Sequence, residues 1–251
     1  MVRSFALCAS AVVLAAGTAN AGFGTRFIST SWNSNTVQFL GQGMGGPIGS
    51  FTFDGILPNG IATNGSLIWV GTFTPSNTVY AYNKQGVLQF SWSDQTSFNL
   101  QGMEYVNGMI AIANNNEVRY HNAFTGAFIG SIPSSGSTTE ALAYDSVNDI
   151  LFNLGDTIDA RDAGTGALLY SIPNPAAFNS FGGTGMTYIG GNRLIISSVE
   201  GQWYEVDSTT GTVLSSGVNG ADTWGLKALP TPGTAALAVM AGALGVIRRR
   251  R

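Results

Sequence analysis

Cysteine and histidine are nearly missing: the 251-residue chain has one of each, Cys8 and His121. Cys8 sits in an apolar N-terminal run, so the rest of the chain can form no disulfide, thiolate metal site or thiol nucleophile. A single histidine cannot build a histidine-rich metal site. A histidine-dependent triad would have to use His121, and nothing near it in sequence recommends it. Basic side chains are scarce too. Of 11 Lys and Arg, Arg3 precedes residue 22 and four arginines follow residue 229, leaving six against all 14 acidic residues, a balance of −8. Such a charge repels phosphate backbones and anionic lipid surfaces, which excludes nucleic acid as an expected partner. Long apolar runs are absent as well. Thr234–Ile247 stops at 14 residues, short of the roughly 20 that a spanning helix needs.

The two ends differ from the middle. Arg3, the apolar run Phe5–Ala16 and Ala19-Asn20-Ala21 read as a secretory signal peptide cleaved after Ala21. Leu7 before Cys8 is not the small residue that a lipid-modified cysteine wants, so no lipoprotein is expected. The other end reads Pro230-Thr231-Pro232-Gly233, then the apolar run, then Arg248, Arg249, Arg250 and Arg251. Arginines in that place stay on the cytoplasmic side.

These 22 terminal residues resemble the PEP-CTERM sorting signals of bacterial envelope proteins, with Thr231 standing where that family has an acidic residue. The resemblance implies export to the cell envelope, outer surface or extracellular matrix, with an exosortase-type sorting enzyme as partner. It also implies membrane contact through the hydrophobic C-terminal helix before processing. The expected division is a signal peptide at 1–21, one domain at 22–229 and a sorting or anchor segment at 230–251.

The middle repeats. "NAFTGAFIGSIP" (Asn122–Pro133) and "DAGTGALLYSIP" (Asp162–Pro173) align without a gap; "DSTTGTVLSSG" (Asp207–Gly217), "NKQGVLQFSW" (Asn83–Trp92) and "GGPIGSFTF" (Gly45–Phe53) are further copies. Their glycines, Gly46, Gly86, Gly126, Gly166 and Gly211, are spaced 40, 40, 40 and 45 residues apart. Short strands at that period are the mark of propeller blades. Asp or Asn opens a tight turn through its side-chain oxygen, and Gly supplies the positive φ that closes it. Each copy is therefore a β-hairpin, assigned to the two outer strands of a blade.

A second aligned set lies upstream of the hairpins: "GIAT" at Gly60, "GMEY" at Gly102, "ALAY" at Ala141, "GMTY" at Gly185 and "GLKA" at Gly225. These start the innermost strands. The chain opens with three strands that lack a first ("TRFISTS", "TVQFL", "IGSFTF") and closes with a first strand that lacks its three ("WGLKAL"). Pairing them gives an all-β, five-bladed β-propeller closed between its N- and C-terminal strands. Closure hides each blade against its neighbours and leaves only short edges, so a monomer suffices. The D-x-x-T-G hairpins are similar to the blades of quinoprotein-like and YVTN-type propellers. That implies a fold and no activity.

Chemistry is thin. His121 shares its place in the third strand with Tyr82, Arg161 and Val206, a variety that suits packing. "GQGMGG" (Gly41–Gly46) matches G-x-G-x-x-G by letter but falls in an outer hairpin, with no helix to follow; no cofactor is expected. Asp156, Asp159 and Asp162 are three apart on a strand, which does not converge oxygens on calcium; no metal is expected. The residues ahead of the inner strands, Asn59, Gln101, Glu140, Thr184 and Trp224, should gather at the mouth of the ring, with Glu104 as a further candidate. Hydrogen-bonding groups and one stacking ring suit a sugar. The expected role is non-catalytic binding or scaffolding, with an exopolysaccharide or another envelope protein as partner. The alternative is a polysaccharide hydrolase or lyase using Glu140 and Glu104 as its carboxylate pair.

Overall fold

Asp162 shows why the repeat folds as a hairpin. In the computed structural model, which describes residues 26–229 except 74–76, 95–99, 115, 135–139 and 175–182, its carboxylate accepts the Thr165 backbone N–H at 2.7 Å and that of Gly164 at 3.2 Å. Asn122 and Asp207 do the same for the residues two and three further on. Gly166 closes the turn at φ +74°, and a Cβ there would also lie 2.6 Å from Ile132 of the preceding blade. Glycine is thus required twice, by conformation and by space.

Among the described residues, twenty strands form five antiparallel four-stranded sheets. The first blade joins β1 (Arg26–Ser31), β2 (Thr36–Leu40) and β3 (Pro47–Thr52) to β20 (Gly225–Leu229) on the inside. The second holds β4 (Pro58–Thr63), β5 (Leu67–Thr72), β6 (Thr78–Asn83) and β7 (Leu88–Ser93). The third holds β8 (Met103–Val106), β9 (Met109–Asn114), β10 (Glu117–Asn122) and β11 (Phe128–Pro133). The fourth holds β12 (Ala141–Asp145), β13 (Ile150–Leu154), β14 (Thr157–Asp162) and β15 (Leu168–Pro173). The fifth holds β16 (Gly185–Gly190), β17 (Arg193–Ser197), β18 (Gln202–Asp207) and β19 (Val213–Val218). The expected clasp is present: β1 pairs with β20 from Arg26 opposite Leu229 to Thr30 opposite Gly225.

Two details differ from the sequence reading. A 3-10 turn, Gln42–Met44, lies within the "GQGMGG" stretch. It belongs to the hairpin, because the Gly41 N–H reaches the Gly46 carbonyl at 3.1 Å and ties the turn shut. Each blade also carries a bulge between its two outer strands, at Phe39/Leu40, Ala81/Tyr82, Tyr120/His121, Ala160/Arg161 and Glu205/Val206. The bulge adds twist just before the turn.

The core lies between blades. Five apolar clusters each join two neighbours. Tyr120 and Ile132 of the third blade meet Leu142 and Leu151 of the fourth. Ile28 and Val37 of the first meet Ile61 and Tyr82 of the second. Each such side chain contributes about 1.5–3 kcal/mol by leaving water. At the axis the five inner strands crowd together. A Cβ on Gly102 would lie 2.7 Å from the Ala141 Cα, and one on Gly225 would lie 2.5 Å from the Asn59 carbonyl oxygen. That crowding explains the Gly, Gly, Ala, Gly, Gly set at the head of the inner strands. The signal segment, with Ala19 and Ala21, and the tail from Pro230 to Arg251 lie outside the described residues.

Candidate functional site

The inner strands all begin at one end of the ring, so the residues at their heads converge. Asn59, Gln101, Glu140, Thr184 and Trp224 line a single cavity of about 320 Å³. Pockets for small ligands run from about 300 to 1,000 Å³. The repeat register is enough to bring these five together.

Two further lining residues, Trp32 and Phe73, are not singled out by the first-strand alignment. Each lies one residue beyond a second strand, after β1 and β5. Extending the repeat alignment from first strands to second strands equates them. They convert a lone ring into an aromatic wall. Trp32 stacks on Trp224 at 3.6 Å and 3°, and Phe73 leans on Trp32 at 5.0 Å and 53°.

Asp222 holds that wall. One carboxylate oxygen accepts the Ser31 hydroxyl and the Asn33 backbone N–H, both at 2.9 Å. Those residues flank Trp32, while Asp222 is two residues before Trp224. A single carboxylate therefore couples the loops that carry both rings. The Trp32 indole N–H is buried without an acceptor among the described residues, a cost of about 1–3 kcal/mol that the packing offsets.

The rest of the lining is polar. The Thr184 hydroxyl donates to the Thr223 carbonyl at 2.8 Å and keeps its lone pairs free to accept. Asn59 is held by its backbone, whose carbonyl receives the Thr30 hydroxyl at 2.6 Å. Glu140 is half-buried, with its N–H on the Leu154 carbonyl at 2.9 Å. Burial, and then the nearby Asp156 charge, push its carboxyl up to about 7.

Glu104 does not join this group. It lies three residues down the inner strand from Gln101, a drop of about 10 Å. There it pairs with Lys227 at 3.0 Å, both side chains being buried. Lys227 crosses the axis and also donates to the Met186 carbonyl at 2.8 Å and to the Leu142 carbonyl. One ammonium thus links β20 to β8, β12 and β16. Burial pushes the Glu104 carboxyl up and the Lys227 ammonium down, each opposed by its partner's charge. A small pocket of about 10 Å³ lies among the inner-strand glycines and reaches Lys227, room for about one water. A carboxylate pair of Glu140 and Glu104 is not assembled in the cavity.

His121 lies elsewhere, in the seam between the second and third blades. Its ring is buried, with Nδ1 3.0 Å from the Gly126 carbonyl and Nε2 3.3 Å from Asp94. Asp159 binds Arg161 at 3.1 Å and Asp162 serves its turn. Among the described residues no group of three His, Cys, Asp or Glu could hold a metal ion.

No protein-family model matches the chain. No curated protein matches it. Among solved structures it is similar to a glutaminyl cyclase from Myxococcus xanthus, with 14% identity and a TM-score of 0.53 over 68% of this chain and 88% of that one. It is also similar to a chain of a nidogen–laminin complex, with 11% identity and a TM-score of 0.57 over 81% of this chain and 84% of that one. At such identities the likeness shows the propeller fold alone.

Proposed function

We propose that this propeller is a non-catalytic binding module that takes a saccharide unit in its central cavity, outside the cytoplasm. The observation that carries the reading is the mixed aromatic and polar lining of one cavity. Trp32, Phe73 and Trp224 form an aromatic wall, while Asn59, Gln101, Glu140 and Thr184 supply hydrogen-bonding groups. A sugar ring has the matching duality, with a C–H face for the rings and hydroxyls for the polar side. Export through residues 1–21 and sorting through residues 230–251 would bring the cavity to an envelope or matrix polysaccharide. The test is thermal melting of the purified protein against a panel of bacterial oligosaccharides. A ligand that binds only the folded state raises the melting temperature by an amount that grows with the logarithm of its concentration over its dissociation constant. A concentration-dependent rise with one saccharide supports the reading, and a flat response across the panel overturns it.

One observation favours a second reading. Glu140, pushed up to about 7, is poised for proton transfer at neutral pH. The second reading is a hydrolase or lyase with Glu140 as its acid or base, now without Glu104. Cleavage of a bound oligosaccharide that is lost in Glu140→Gln would establish it.

A further inference from the structure

We propose that the saccharide carries a free, protonated amine: the cavity selects an amino sugar over its neutral and N-acylated counterparts. This rests on the saccharide reading above and specifies its chemistry. Glu140 is the only charged residue lining the cavity among the described residues, and no salt bridge reaches it. Four of the six Lys and Arg of residues 22–229 pair elsewhere: Arg119 with Asp94 and Glu117, Arg161 with Asp159, Arg193 with Glu205 and Lys227 with Glu104. The other two are exposed and far from the mouth along their strands, Arg26 at the start of β1, whose other end leads to Trp32, and Lys84 in the outer turn after β6. The sequence closes most of the remaining routes. Segments 74–76, 95–99, 115, 135–139 and 175–182 contain no Lys, Arg or His.

Asp156 adds a second negative charge within electrostatic reach of Glu140. Trp32, Phe73 and Trp224 line the same cavity, and an open aromatic face attracts cations through its quadrupole. A neutral sugar would leave the carboxylate to be neutralised by a proton from solvent. An N-acylated sugar would bring a bulkier neutral group to the same place. An ammonium supplies the missing counterion and gains from the rings as well, while Asn59, Gln101 and Thr184 still meet the hydroxyls. The group that a bound cation would stabilise is the carboxylate form that burial otherwise disfavours.

Calorimetric titration at neutral pH tests this with three probes of equal length: an oligomer of glucosamine, its N-acetylated form and an oligomer of glucose. The expected result is that the free-amine oligomer binds at least about tenfold more tightly than either, a difference of about 1.4 kcal/mol. Glu140→Gln, which keeps the shape and removes the charge, should abolish that preference, so that the free-amine oligomer binds no more tightly than the glucose oligomer. Glu140→Asp should restore part of it, which separates charge from folding. Equal or tighter binding of the neutral or N-acetylated oligomer by the native protein overturns the amine proposal and leaves the saccharide reading intact. Binding of none of the three by a protein that melts cooperatively overturns both.

Discussion

Trp32 and Trp224 stack at 3.6 Å with their rings 3° apart, although nearly the whole ring of blades separates them in sequence. They meet because β1 and β20 pair, with Thr30 opposite Gly225. The aromatic wall is therefore built across the seam where the propeller closes. Anything gripped by both rings also couples β1 to β20. Ligand saturation should slow amide exchange in Phe27–Thr30 and Gly225–Leu229 more than in the inner strands of other blades. Uniform slowing around the ring would contradict this coupling.

Asp222 is a positioning residue. Asp222→Ala frees the Ser31 hydroxyl and the Asn33 N–H and lets Trp32 drift from its partner. Affinity should fall several-fold, with a stability loss no greater than the roughly 1.5–3 kcal/mol of hydrogen bonds to a charged group. Asp222→Asn retains one acceptor oxygen and should recover most of the affinity. Titration and denaturant unfolding on the same samples separate the two effects.

The buried pair at the axis should behave asymmetrically. Lys227→Met leaves Glu104 without its partner ammonium and orphans the Leu142 and Met186 carbonyls. The cost should be about 3–5 kcal/mol. Adding Glu104→Leu removes the stranded carboxylate and should return much of that stability, since ion pairs lose much of their attraction to desolvation. Denaturant unfolding of both variants checks this, and a double variant weaker than the single one would contradict it.

Glu140 sets a pH dependence whose sign follows from its raised pKa. The folded protein holds this proton more tightly than the unfolded chain does, so the contribution is fully present below about 4.5 and is lost as pH rises through about 7. Relative to Glu140→Gln, which stays neutral, the native protein should lose melting temperature across that window. A gap between the two that stays constant with pH would show that Glu140 is not held in this environment.

The parts of the molecule written into local residues were readable before the fold was seen. Asp162 and Gly166 announce a tight turn, and the spacing of such turns gives the number of blades. The head-of-strand set transfers from blade to blade, which is why Asn59, Gln101, Glu140, Thr184 and Trp224 could be placed together. Trp32 and Phe73 escape that alignment because they follow second strands and meet the others only once the ring closes. Glu104 misleads for a different reason. Its distance along the strand takes it out of the cavity lining, and the partner that holds it, Lys227, comes from β20, far away in sequence. The per-blade bulge carries no residue signature and follows from the twist of the paired strands.

The account stands most directly on Trp224→Ala. A saccharide that raises the melting temperature of the native protein should be titrated into this variant by calorimetry. Losing half of the stacked wall should weaken binding by about 1–3 kcal/mol, the scale of a buried aromatic contact, with the cooperative melt retained. Undiminished affinity in the folded variant would mean that the ligand sits elsewhere and that the central cavity is not the binding site.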